Sequence, residues 1–179
     1  MNHQTWIQAA QWLSEQEIAI QPILTLSDAP DEVLQAALLQ APASVLAASA
    51  AAVVGCGISD ARSVFLSASA PEEELRAAHG HCRYLAETPE EIRKLDALTG
   101  PFLQEGYLED IAIRVWPNGG GAFTVENIPE FARLIRRTDN LAVRALFLPF
   151  DQSHNLSRQA KDAFSLVKKI RSDLPCMLH

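Results

Sequence analysis

Arg114 is the residue whose position most needs a chemical explanation. It stands inside an apolar run, Ile111-Ala112-Ile113-Arg114-Val115-Trp116, and a guanidinium on a buried strand is costly unless an anion meets it. Two answers are open: an internal carboxylate such as Asp28 or Glu87, or the carboxylate or phosphate of a bound small molecule. Just beyond it, Asn118-Gly119-Gly120-Gly121 offers backbone N–H groups of the kind that cradle phosphate. The stretch lacks the lysine of a P-loop and does not run directly into a helix, so a flexible loop after a strand satisfies the same pattern. Asp28 follows an apolar run, where a general base or a helix cap belongs. The candidate ligand-binding residues are therefore Arg114, Asp28, Asn118, Gly119 and Gly120. His79-Gly80-His81-Cys82 has soft metal ligands but needs further ones with fixed geometry. The same four residues suit a helix end, with Gly80 just past the terminus and Cys82 opening a buried strand. No metal ligand is assigned. No catalytic residue is assigned either, because Ser49, Ser67 and Ser69 show no nucleophile elbow and no histidine is placed to activate them.

The elements that position these residues follow from periodicity. Short apolar runs at 23–27, 44–48, 63–68, 82–86, 111–116, 143–149 and 175–178 predict seven strands, apolar on both faces as in a parallel sheet covered by helices. Helical patterns fall between them at 31–40, 72–79, 89–105, 128–137 and 158–172, and 6–14 predicts an amphipathic leading helix. Start signals agree: Ser69-Ala70-Pro71-Glu72 supplies a hydroxyl cap and an early proline, and Thr88-Pro89-Glu90-Glu91 is a capping-box pattern. Asp28-Ala29-Pro30-Asp31 repeats the device. Alternation of this kind within one domain, residues 1–179 with 1–20 leading into the first strand, predicts a TIM-barrel-like (β/α) fold, or failing that a doubly wound sheet.

Composition bounds the partners. The chain has 179 residues, 48% of them hydrophobic, three cysteines and a formal charge of −7. That apolar content excludes disorder, and three cysteines do not make a disulfide scaffold. The acidic balance argues against nucleic acid, which needs clustered Lys and Arg. The opening residues lack the basic and apolar regions of a signal peptide, and the weakly polar run 43–58 is too short and too rich in Ala, Ser and Gly to span a membrane. A cytoplasmic location is the expectation, with no nucleic-acid or membrane partner.

An ordered series of motifs resembles the barrel domain of the fold-type III pyridoxal-phosphate enzymes. That family holds the ornithine, arginine and diaminopimelate decarboxylases and, more distantly, alanine racemase. Ile23 to Asp28 followed by Asp31-Glu32-Val33-Leu34 is similar to the family's Y-A-V-K-A-N and P-E-V-L. Val45-Leu46-Ala47-Ala48-Ser49 matches F-D-V-A-S, and Gly57 to Phe65 matches G-V-x-P-E-R-I-I-F. Glu74-Leu75-Arg76 falls where the family has E-L-R, and Tyr84 to Leu95 resembles F-D-S-x-E-E-L-x-K-L. Ile113-Arg114-Val115-Trp116-Pro117-Asn118-Gly119 is close to L-R-V-N-P-G, and Ala122-Phe123-Thr124-Val125 resembles K-F-G-I/V. The series covers about residues 20–179.

The departures from that pattern all point one way. The resemblance puts the Schiff-base lysine at Leu26, or Ser27 one register away, and no lysine precedes Lys94. The second-strand acid falls at Leu46, and the acid that partners the ring nitrogen falls at Ala52. The ring-stacking histidine falls near Pro149, with Asp151-Gln152 in place of Gly-Ser. Arg114 alone persists, and the helix after the second strand is about one turn shorter than the family's. Without the lysine no imine forms with the cofactor, so no cofactor is expected. The sequence ends about where the family's seventh strand begins, short of the eighth strand and the C-terminal β domain. The expectation is a fragment, or a barrel completed by a homodimer or a partner chain, since an open sheet edge leaves N–H and C=O groups unpaired. Two functions follow: a catalytically inactive relative of the decarboxylase barrel acting as a structural, regulatory or dimerisation module, or a small barrel enzyme or binding protein that takes an anionic small molecule on Arg114 and the Gly119–Gly121 loop.

Overall fold

A computed structural model of the chain describes residues 23–26, 44–55, 64–116, 119–124, 126–148 and, within 158–168, all but 160, 163 and 167. The strands are β1 (Ile23–Leu26), β2 (Ser44–Ala47), β3 (Val64–Ser67), β4 (Arg83–Ala86), β5 (Glu109–Arg114) and β6 (Leu141–Phe147). The helices are α1 (Ala50–Gly55), α2 (Glu72–Ala78), α3 (Pro89–Thr99) and α4 (Ile128–Ile135), with a 3-10 turn at Gly100–Phe102. The predicted leading helix, the helix at 31–40 and the seventh strand at 175–178 lie outside the described residues.

All six strands are parallel and pair in sequence order, β1-β2-β3-β4-β5-β6. A doubly wound sheet reverses its order once and so places helices on both faces. Here the order never reverses, and right-handed crossovers put every helix on the same side. The other face can be covered only by the sheet curling on itself, which is the logic of a barrel. The architecture is thus α/β and partly TIM-barrel-like. Among the described residues β1 and β6 do not pair, so the predicted seven-stranded sheet is described as six strands, without closure.

Burial follows the two-residue period of the strands. Val45, Ala47, Val64, Leu66, Tyr84, Ala86, Ile111, Ile113 and Val143 face the helix layer, where Leu75, Ile92, Leu95, Phe131 and Ile135 cover them. The alternate residues Phe65, Leu85, Ala112 and Phe147, with Leu46 and Ala145 beside them, form a second apolar cluster on the inner face. Phe65 and Phe147 meet edge to face there, 4.7 Å between ring centroids. In β6 the face changes without a change of parity: Val143 faces the helices and Ala145 the interior. A β-bulge opposite Ile111/Ala112 makes Arg144 the extra residue.

Several boundaries depart from the sequence reading for local reasons. The helix predicted over 89–105 stops at Thr99, because Gly100-Pro101 breaks it into the 3-10 turn. The predicted hydroxyl cap at Ser69 is not made. Pro71 occupies the N-cap of α2, and Ser69 sits two residues too early to reach the first-turn amides; its hydroxyl pairs with Ser67 Oγ at 2.8 Å instead. The strands β5 and β6 each begin two residues earlier than their apolar runs, with Glu109 and Asp110 included because tertiary partners meet both carboxylates. The short helix expected after the second strand is α1, whose first amides are held by Ser49 Oγ and by Glu74 Oε2 from α2.

The predicted capping box of α3 is present in full. Glu91 N donates to Thr88 Oγ1, and Thr88 N donates to Glu91 Oε2, each at 3.2 Å. Replacing Thr88 by Ala is expected to cost about 1 kcal/mol of folding stability, read as a lower urea midpoint at unchanged slope.

Candidate functional site

The C-terminal ends of the strands hold the candidate site. In parallel β/α folds this end carries the variable loops and the chemistry, and the other end carries stability. Arg114 is the last residue of β5, and it lies on the inner face with Ala112. Its Nη1 is 3.1 Å from Glu87 Oε1, with the two side chains 25% and 31% exposed. Of the carboxylates the sequence offered, Glu87 is the partner. Asp28 and Asn118 lie outside the described residues.

Glu87 is held by the helix that follows it. It comes directly after β4, and its own backbone N–H donates to Glu91 Oε2 at 2.6 Å. The capping carboxylate therefore fixes the residue that neutralises Arg114. On the opposite side, the guanidinium carbon of Arg114 lies 6.0 Å from the centre of the Trp116 ring, at the outer limit of a cation–π contact.

The glycine loop turns back over that indole. Trp116 N donates to Phe123 O at 2.8 Å, and Trp116 bridges to Thr124. Gly119 N donates to Trp116 O at 3.3 Å, so that amide is already used within the loop. Gly119 and Gly120 have φ of 81° and 97°, the left-handed region that favours glycine. Gly121 is needed for a different reason: a Cβ there would lie 1.9 Å from Trp116 Cδ1. Asn127 clamps the loop, accepting from Thr124 N through Oδ1 and donating to Ala122 O through Nδ2. Its role was not legible in the sequence, where it looks like an ordinary residue before a helix.

Lys94 is another cation near this end. It sits on α3, and its ammonium donates to the carbonyls of Ala68 and Ala70, tying the helix to the turn after β3. The Ser67–Ser69 hydroxyl pair lies in the same turn. The described histidines, His79 and His81, are at the far end of the strands, where α2 finishes.

At that far end Arg83 and Arg144 both reach Asp110, at 3.0 and 3.1 Å, stitching β4, β5 and β6 together. His79 caps α2, and Gly80 follows it at φ 78°, the helix-end arrangement open in the sequence. The His79 ring packs against Phe102 with centroids 5.0 Å apart, while Cys82 Sγ donates to Ala78 O. No group of three metal-ligating side chains gathers among the described residues. His79 Nδ1 is buried without a hydrogen-bond partner, 3.8 Å from Glu109 Oε2. Burial lowers the His79 pKa. Burial, then the neighbouring Asp110 charge, raises Glu109 to about 7, with Arg83 opposing.

AQ1208 from Aquifex aeolicus superposes with a TM-score of 0.67 at 16% identity, over 95% of this chain and 43% of its own length. Lysine decarboxylase from Selenomonas ruminantium gives 0.64 at 14% identity, over 95% and 45%. Alanine racemase from Corynebacterium glutamicum gives 0.58 at 13% identity, over 96% and 48%. The chain has the fold of an alanine racemase-like barrel domain. It spans less than half the length of these three structures. No protein-family model and no curated protein matches the sequence. No helix among the described residues is long and apolar enough to cross a membrane.

Two outcomes are expected from these charges. A double-mutant cycle of Arg114→Ala and Glu87→Ala, followed by urea unfolding, gives a coupling of about 0.5–1 kcal/mol, since both groups are partly hydrated. For Glu109, the folded state holds its proton more tightly than the unfolded chain does. The stability that proton brings is complete below pH 4.5 and is lost as pH rises through about 7. Glu109→Gln therefore matches the parent near pH 4 and exceeds it at pH 8 by up to about 3 kcal/mol, measured by melting at both pH values.

Proposed function

We propose that this chain is a catalytically silent relative of the barrel domain of the decarboxylases and alanine racemases, serving as a structural or association module. The observation that carries the reading is the placement of its amines. The first strand, Ile23-Leu24-Thr25-Leu26, has none. Of the four lysines, Lys94 is committed to two backbone carbonyls, Lys161 is exposed, and Lys168 lies 4.9 Å over the Phe164 ring of its own helix. Lys169 lies outside the described residues.

By this reading the residues present do not fit pyridoxal phosphate. The middle of the inner face is apolar, with Phe65, Leu85, Ala112 and Phe147 where a polar ring would need partners. Arg114, at the mouth, is already met by Glu87. That pair also weighs against the binding of an anionic small molecule on Arg114, because a second anion there must displace Glu87 or share its charge.

The association half of the proposal rests on topology. Among the described residues β1 and β6 each have one strand neighbour. A homodimer or a partner chain would cover such edges.

The test is direct. Adding pyridoxal phosphate is expected to leave the absorbance without an imine band, and borohydride treatment is expected to trap no adduct on peptides from the sheet. A trapped adduct at Lys94, found by peptide mapping, would overturn the reading.

A further inference from the structure

A groove of about 320 Å³ runs between α3 and α4 and borders the glycine loop through Ala122, Phe123 and Asn127. Beneath it lie Phe123 and Phe131, both buried, with their rings 5.0 Å apart, and the partly exposed Leu134 brings apolar surface to the groove. Three guanidiniums line it. Arg133 and Arg137 stand four residues apart, on one side of α4 and its end, and Arg93 faces them from α3.

The local charge balance is unusual for this chain. Glu130 also lines the groove, and Glu90 lies 3.2 Å from Arg93. Three cations against two carboxylates leave the groove positive in a molecule with a formal charge of −7. Arg133 Nε donates to Pro129 O, so the charge of its guanidinium is not neutralised by that bond. Arg137 has no carboxylate among its described ion pairs. A simple helix-end role accounts for cations near the last turn of α4, but not for Arg93 opposing them across the groove.

We propose that this groove docks an acidic peptide segment of a partner protein. Two carboxylates about one helical turn apart would reach Arg133 and Arg137, and an apolar side chain between them would rest on the partly exposed Leu134. The global negative charge of the chain repels acidic partners at long range, so binding is weak, local and salt-sensitive. The groove shares Ala122, Phe123 and Asn127 with the loop at the strand mouth, and the docking proposed here requires no chemistry at Arg114.

The test uses the full 179-residue chain and a fluorescein-labelled peptide of sequence Glu-Leu-Glu-Glu-Leu-Glu, followed by anisotropy at low salt. Binding is expected, and raising salt from about 50 to 300 mM weakens it. The double variant Arg133→Glu/Arg137→Glu loses at least about tenfold in affinity. Arg136→Glu makes a charge change on the same helix end without lining the groove, and it is expected to lose much less. The milder Arg133→Gln/Arg137→Gln pair repeats the measurement if the acidic variant melts early. The proposal is overturned if the parent does not bind, if Arg136→Glu loses as much as the double variant, or if free glutamate or inorganic phosphate competes as well as the peptide does.

Discussion

A guanidinium on the inner face of a parallel sheet has to be met by an anion, and the strand ends are organised around that requirement. Arg114 is met by Glu87 from the adjacent strand end. Glu87 is in turn held by Glu91, the carboxylate that closes the N-terminal cap of α3. One side chain thus satisfies helix amides and positions the counter-charge of a neighbouring strand. The neutral pair at the mouth follows from this arrangement.

The same principle, applied at the opposite end, gives a different result. Asp110 takes two arginines from the strands on either side of it, which locks register across β4, β5 and β6 where the bulge at Arg144 would otherwise loosen it. Glu109, pointing the other way from Asp110, is left in a half-buried niche with His79 and Phe102 and has no arginine of its own. Its pKa is raised to about 7 because the charged form is poorly solvated there. The two ends are linked only by an apolar middle layer, Phe65, Leu85, Ala112 and Phe147. A sheet with this interior carries load through packing, and its polar groups are confined to its rims.

Much of the architecture was legible because short strands buried on both faces leave continuous apolar runs, and because helix starts have local chemistry. Thr88 to Glu91 is a case where four residues specify their own geometry, and the capping box follows. Ser69 shows the limit: a hydroxyl near a proline resembles a cap, but the turn after β3 places Pro71 at the helix entrance and leaves Ser69 outside it. The start of β5 was missed because Glu109 and Asp110 look like loop residues until His79 is brought beside the first and Arg83 and Arg144 beside the second. Asn127 was missed for the same reason, since its two clamping contacts depend on where the loop returns.

By itself the amino-acid sequence determined the alternation of strands and helices, the parallel class of the sheet, and the lack of an amine on the first strand, because each is a property of local pattern or residue type. Only the tertiary structure decided which carboxylate meets Arg114, that Lys94 is bound to the carbonyls of Ala68 and Ala70, and that three arginines converge on one groove. Those facts join residues far apart in the chain, and charge pairing acts through space, so no local window of sequence contains them.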